Sequence, residues 1–306
     1  MTVFVDFSKI KLKENRMKPE KAVTGATNRG GKPIPTQPTR KSSLSVYLTY
    51  VGLASTLLAT VLYFSSAHRV LAQSSEFHGT RNVILVHGAW ADGSSWSKVI
   101  PLLEAKGLNV TAVQLPLTSL ADDAATVKRA FALEDGPVLL VGHSYGGSVI
   151  TEAGNDPKVA GLVYVAAFAP DKGESTLDQI KANPTPVGTE LRPDASGFFK
   201  LSGKGVSEDL APDLPEAVQK VLIAAQGPTA GAAFGTPISA PAWRNKPSWF
   251  VIASGDRVIS PKLEEAEAQK MSAKSITIAS SHVVLVSHAD EVAGFIERAA
   301  RESGKD

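Results

Sequence analysis

Gly142-His143-Ser144-Tyr145-Gly146-Gly147 follows the apolar run PVLLV and precedes SVITEAG, which sets a serine on a sharp turn between a strand and a helix. In that context a G-x-S-x-G segment reads as a nucleophile elbow. Its glycines are needed because the turn strains the serine backbone and brings neighbouring chain too close for a Cβ. A serine at the head of a helix also faces free N–H groups that favour developing negative charge. Its hydroxyl attacks a carbonyl effectively only when a base takes its proton, so a histidine and an orienting carboxylate are required. At such an elbow the expected chain order is Ser, acid, His. Asp256 in SWFVIASGDRVISP and His282 in SITIASSHVV satisfy it, each just past a β-rich apolar run. His288 is a rival base, but it falls where the last helix starts. Asp171 is a rival acid without the Gly-Asp turn. His87 and His143 read as structural supports of their loops, and no role is assigned to His68 or His78.

Attack on an acyl carbon creates an oxyanion that needs preorganised N–H donors. The residue after the nucleophile, Tyr145, supplies one; the loop after VILVH, Gly88-Ala89-Trp90, makes the Ala89 N–H the second candidate. Gly88 lets backbone approach the substrate closely, and Gly88, Trp90 and Val283 are candidate pocket residues. The chain has no cysteine, no His-Glu-x-x-His and no dinucleotide fingerprint, so neither a metal nor a cofactor is expected.

The elements that must position these residues are legible as alternating short apolar runs and helical stretches, the pattern of a mostly parallel twisted sheet flanked by helices. Candidate strands are 83–87, 110–115, 137–143, 159–167, 248–254 and 275–280; candidate helices are 96–106, 120–133, 148–155, 261–271 and 290–301. Several strand runs lack alternation, as strands buried on both faces do. A stretch at about 170–241, rich in Pro, Gly and Asp, breaks the rhythm before the acid-bearing strand. A long interruption of this kind is usually functional, and it reads as a cap with short helices at 177–182 and 214–225. Its Phe198, Phe199, Leu210 and Phe234, with Trp243 just beyond, line either a pocket or the core.

VILVHGAWADGSSWSKVIPLLEAKGLNVTAVQLP, LLVGHSYGG, VIASGDRVISP and SHVVLVSHADEVAGFI resemble the plant methylesterase and hydroxynitrile lyase group of α/β-hydrolases and its bacterial, pyrethroid-hydrolase-like carboxylesterase relatives. The likeness covers about residues 82–168 and 243–300 and is weak in the cap. It implies an α/β-hydrolase fold with a helical cap, no cofactor, an apolar pocket and small or aromatic esters as substrates. The lyases of the group carry a Lys directly after the catalytic His to stabilise departing cyanide; Val283 stands there in this chain, which favours ester hydrolysis.

A formal net charge of +2 over 306 residues hides an asymmetry: residues 1–72 hold eleven of the 32 Lys/Arg and three of the 30 Asp/Glu, leaving 73–306 at −6. The basic residues thus sit in a separable leader, which argues against nucleic acid as a partner. Residues 1–43 are polar and basic and read as disordered. Residues 44–64 carry no charge and are long enough, at about 1.5 Å per residue, to cross a bilayer core of about 30 Å. Within 44–72 the small residues before Gln73 suit a signal peptide cleaved after Ala72; the competing readings are an uncleaved membrane anchor and a true start at Met17. The first two readings place the catalytic domain, 73–306, outside the cytoplasm, periplasmic, secreted or anchored. No oligomeric state is read from the sequence.

The residues therefore favour a carboxylesterase-type serine hydrolase acting on a small-molecule ester through an acyl-enzyme. The alternatives are a cofactor-free lyase or haloperoxidase-like activity on the same scaffold, and a non-catalytic binding protein that kept the fold.

Overall fold

The computed structural model describes residues 77–304; the leader 1–43 and the segment 44–72 lie outside the described residues. Among those described, no helix is long and apolar enough to cross a membrane.

Six strands form one sheet in the order β2-β1-β3-β4-β8-β9, every pair parallel. They are β1 (Asn82–Val86), β2 (Asn109–Ala112), β3 (Val138–Ser144), β4 (Val159–Ala167), β8 (Ser248–Ala253) and β9 (Lys274–Ile278). The unbroken apolar runs arise because the central strands are covered on both faces. Alternate residues divide cleanly between two cores: Ile84, Val86, Leu140, Tyr164 and Phe250 face one side, while Val83, Leu85, Val141, Val163 and Val251 face the other. Helices α2 (Leu120–Ala132), α3 (Tyr145–Ala153) and α7 (Pro261–Lys270) cover the first face. Helices α1 (Val99–Glu104) and α9 (Ala289–Glu302) cover the second.

The chain enters the sheet at β1, moves outward to β2 and returns to β3 on the other side of β1. Strand order therefore reverses between β1 and β3, and the loops leaving those strands diverge to open a crevice at their carboxyl ends. Both Gly88–Trp90 and Ser144 sit there.

The helix expected at 96–106 is shorter, running from Val99 to Glu104. Asp92 Oδ1 accepts the Ser94 N–H at 2.7 Å and starts a separate 3-10 turn, Gly93–Trp96, before α1 begins with Pro101 in its first turn, where a missing N–H costs nothing. The helix expected from 148 begins earlier, directly after Ser144, and α9 is preceded by a short helix, α8 (Val284–Ser287).

The cap between β4 and β8 is mixed, where a helical one is expected. Helix α4 (Thr176–Ala182) is closed by a Ser175–Asp178 capping box, and α5 (Glu216–Ala225) and α6 (Gly231–Gly235) follow later. Between and beside them β5 (Leu191–Pro193), β6 (Phe198–Leu201) and β7 (Thr229–Ala230) form a small antiparallel sheet. Asp194 makes the first hairpin, its Oδ1 accepting the N–H groups of Ser196 and Phe198. These strands are too short to show a period of two. At the ends of the cap, Trp243 Nε1 donates to Pro170 O at 3.2 Å and Arg244 pairs with Asp171. Asp171 is thereby committed to the cap hinge and does not meet His282.

Candidate active site

Ser144 ends β3 and heads α3 with φ 55° and ψ −124°, a backbone state that costs on the order of 1–3 kcal/mol and persists only where surroundings enforce it. They do so through close approach: a Cβ on Gly146 would lie 2.6 Å from Val86 O. The Gly88 backbone passes over the serine so closely that a Cβ there would lie 2.7 Å from Ser144 Cβ and 3.2 Å from its Oγ.

His282 follows β9 and Asp256 follows β8. The histidine Nδ1 donates to Asp256 Oδ2 at 2.6 Å, with both side chains buried, which leaves Nε2 as the basic nitrogen. Asp256 Oδ1 accepts the N–H groups of Val258 (2.6 Å) and Ile259 (2.9 Å), so the carboxylate is fixed at both oxygens. Ser144 and His282 stand on adjoining walls of the crevice without a direct hydrogen bond between them; such contacts commonly tighten only with substrate. His288 is directed elsewhere, its Nδ1 against Ser287 Oγ.

Three carboxylates that the sequence reading passed over hold this arrangement. Glu264, on α7, is fully buried beside Asp256; its Oε2 accepts the Ala253 N–H at 2.9 Å and its Oε1 has no other partner. Burial, and then the Asp256 charge, hold the Glu264 carboxyl well above the usual range, which favours its uncharged form next to Asp256. Asp213 of the cap accepts from Ser281 N (2.9 Å), Ser281 Oγ (2.5 Å) and Ser280 Oγ (3.1 Å), tying down the loop that carries His282. Asp123 accepts from Tyr145 Oη and from Leu117 N, both at 2.8 Å, and burial pushes its pKa up to about 6. The one sequence signal for Glu264 is its place four residues before the apolar Ala268 on the same helix face; for Asp213 there is none.

The two histidines read as supports behave as such. Leu115 N–H donates to His87 Nε2 at 2.9 Å, so His87 Nδ1–H must donate to Gly88 O at 2.8 Å, fixing the loop over Ser144. Burial keeps His87 neutral by lowering its pKa. His143 Nε2 donates to the His282 carbonyl at 3.0 Å, and burial, with His282 beside it, lowers its pKa strongly.

Tyr145 is the first residue of α3, where a backbone N–H has no partner within the helix, and Ala89 follows the close Gly88 approach. Trp90 has φ 58° and donates from its backbone N–H to Thr229 Oγ1 and from its indole to Phe199 O. It thus ties the Gly88–Trp90 loop to the cap. Two cavities meet at Ala89 and Trp90. One of about 390 Å³ contains Ser144 and is walled by Phe168, Leu177, Val187, Phe199 and Phe234; the other, about 280 Å³, contains His282 and Val283. Among the described residues no cluster of side chains could hold a metal ion.

A parallel sheet with a reversal at the crevice, a strained serine at the reversal and a buried His–Asp pair define a hydrolase-type site. The chain belongs to the α/β-hydrolase family, whose model matches residues 83–295. It is 34% identical over 134 residues to methylesterase 8 of Arabidopsis thaliana, covering 37% of this chain and 49% of that protein. It is 33% identical over 127 residues to the carbendazim hydrolyzing esterase of Nocardioides sp. (strain SG-4G), covering 36% of this chain and 52% of that one. The chain thus spans about half the length of these curated relatives. In fold it is similar to a pyrethroid hydrolase from Sphingobium faniae JZ-2, with a TM-score of 0.64 at 22% identity over 73% of this chain and 98% of the other. Polyneuridine aldehyde esterase has a TM-score of 0.63 at 18% identity, over 72% and 99%.

Proposed function

We propose that this protein is a carboxylic ester hydrolase in which Ser144 is the nucleophile, His282 the general base and acid, and Asp256 the residue that holds the imidazole tautomer. The observation that carries the reading is the 2.6 Å bond from His282 Nδ1 to the doubly anchored Asp256, on a wall next to a serine held at φ 55°. Ser144 Oγ attacks the ester carbonyl as His282 Nε2 takes its proton; the Ala89 and Tyr145 N–H groups receive the oxyanion. His282 returns the proton to the alcohol oxygen, the C–O bond breaks, and water then releases the acid from Ser144 by the same steps. Similarity to esterases supports ester cleavage. A buried, apolar Val283 beside the base provides no positive charge for departing cyanide and weighs against the lyase alternative. Residues 44–72 direct the domain out of the cytoplasm in this reading, cleaved after Ala72 or retained as an anchor.

The test is hydrolysis of p-nitrophenyl esters from acetate to dodecanoate by the protein and its Ser144→Ala variant. Loss of at least about three orders of magnitude in kcat is expected; an unimpaired variant removes Ser144 from the mechanism.

A further inference from the structure

The cavity beside His282 is unusual in its roof. Val218, Val221, Leu222 and Ala225 of α5 all line it, and their spacing of three, four and seven residues puts them on one face of the helix. An amphipathic helix normally buries that stripe, yet no residue of α5 is buried, and Val221 is 64% exposed. The stripe looks into the cavity, which is closed below by Leu285 and Val286 and bounded toward Ser144 by Ala89 and Trp90.

We infer that this cavity is the alcohol subsite, and that the substrate is an ester of a bulky apolar alcohol. The assignment rests on the ester-hydrolase reading and follows from where its proton must go. His282 returns a proton to the leaving oxygen, so that oxygen lies against His282 and its substituent extends into the cavity His282 lines. The acyl chain, bonded to the carbon that Ser144 attacks, extends into the cavity Ser144 lines. The carbonyl sits at the partition the two cavities share, Ala89 and Trp90, where the Ala89 N–H meets its oxygen. A volume of about 280 Å³ is several times the ~30 Å³ that one water occupies in the liquid, and a methoxy group leaves most of it unfilled. An aromatic or branched alcohol fills it and covers the α5 stripe, burying apolar surface that methyl esters leave in water. Two of the larger polar groups at its edges are already engaged, Gln226 with both Leu201 backbone groups and Lys98 Nζ with Val286 O at 2.8 Å, while the buried Ser95 Oγ, without a partner, is a single uncharged hydroxyl on a mostly apolar lining. This favours a hydrocarbon over a charged or sugar alcohol.

The experiment compares methyl hexanoate with 2-naphthylmethyl hexanoate on the full chain, with p-nitrophenyl hexanoate as reference. Because kcat/KM covers the steps through acylation, the shared acyl half cancels and the ratio reports the alcohol subsite alone. A preference of at least about tenfold for the naphthylmethyl ester is expected, since one methylene in an apolar pocket is worth about 10-fold or more. Val218→Trp, which fills the cavity from its half-buried roof, is expected to lower kcat/KM for the naphthylmethyl ester by at least about tenfold more than for the methyl ester. Leu177→Trp, in the other cavity, is expected to lower both hexanoates together. Equal or better use of the methyl ester by the wild-type protein overturns the assignment without any variant. So does a Val218→Trp protein that loses both esters equally while remaining folded by circular dichroism. If p-nitrophenyl hexanoate is also untouched, the ester-hydrolase reading itself fails, and the assignment with it.

Discussion

Replacing Glu264 by Gln separates its hydrogen bonds from its charge. The amide oxygen can still accept the Ala253 N–H, and an uncharged amide takes the place of the carboxyl beside Asp256. In the folded protein Glu264 stays protonated well above the usual 4.5, whereas the unfolded chain releases that proton near 4.5. Between those two values the folded state binds one proton more than the unfolded state, so folding stability falls as pH rises, by about 1.4 kcal/mol per unit. Stability from this group is fully present below the unfolded value and is lost as pH climbs through the folded one. Asp123 and Glu267, pushed up to about 6 and about 7 by burial, act with the same sign but are shared by both proteins. Urea unfolding from pH 4 to pH 8 should therefore give equal stabilities at pH 4 and a Glu264→Gln protein that gains on wild type by about 1.4 kcal/mol per unit above pH 5 until the folded carboxyl ionises. Ester hydrolysis by Glu264→Gln should stay within a few-fold of wild type. A stability difference that does not change with pH would refute a neutral Glu264 beside Asp256.

Asp256→Asn keeps the shape of the orienting residue but presents an amide to His282 Nδ1, inverting the tautomer; kcat should fall by about 10³–10⁴ near pH 7, with little change in thermal midpoint. Gly88→Ala sets a Cβ 2.7 Å from Ser144 Cβ, and displacing that loop should cost about 1–3 kcal/mol in transition-state binding, read as a ten- to hundred-fold loss of kcat/KM. Tyr145→Phe removes one of the two donors to buried Asp123 and should destabilise the fold by about 1–3 kcal/mol, measured by urea unfolding.

The sheet was readable in sequence because β1, β3, β4 and β8 are buried on both faces, a condition that writes itself as unbroken Val, Leu and Ile. The positions of Ser144 and Asp256 were readable because such a run ends at the first and precedes the second, each on a turn with its own chemistry, and that of His282 because it follows the short edge strand β9. Asp213 and Glu264 were not, because their importance lies in what crosses from another element: Asp213 reaches a loop 67 residues away, and Glu264 looks like any exposed helix acid until the helix packs. The cap resisted for a related reason. Its strands β5, β6 and β7 are held by pairing and by the Asp194 turn, with too few residues to show a period, and its α5 stripe is only half-buried, Val218 and Leu222 touching the core while Val221 stays exposed beside a cavity.

Labelling with an aryl phosphonofluoridate tests the account most directly, because it reports the nucleophile without assuming a natural substrate. Intact-mass analysis should show one phosphonyl group added per chain with release of fluoride, peptide mapping should place it on Ser144, and Ser144→Ala should take up none. Labelling that persists at another residue in the Ser144→Ala protein, with ester turnover lost in step with it, would contradict the assignment of Ser144 as the nucleophile.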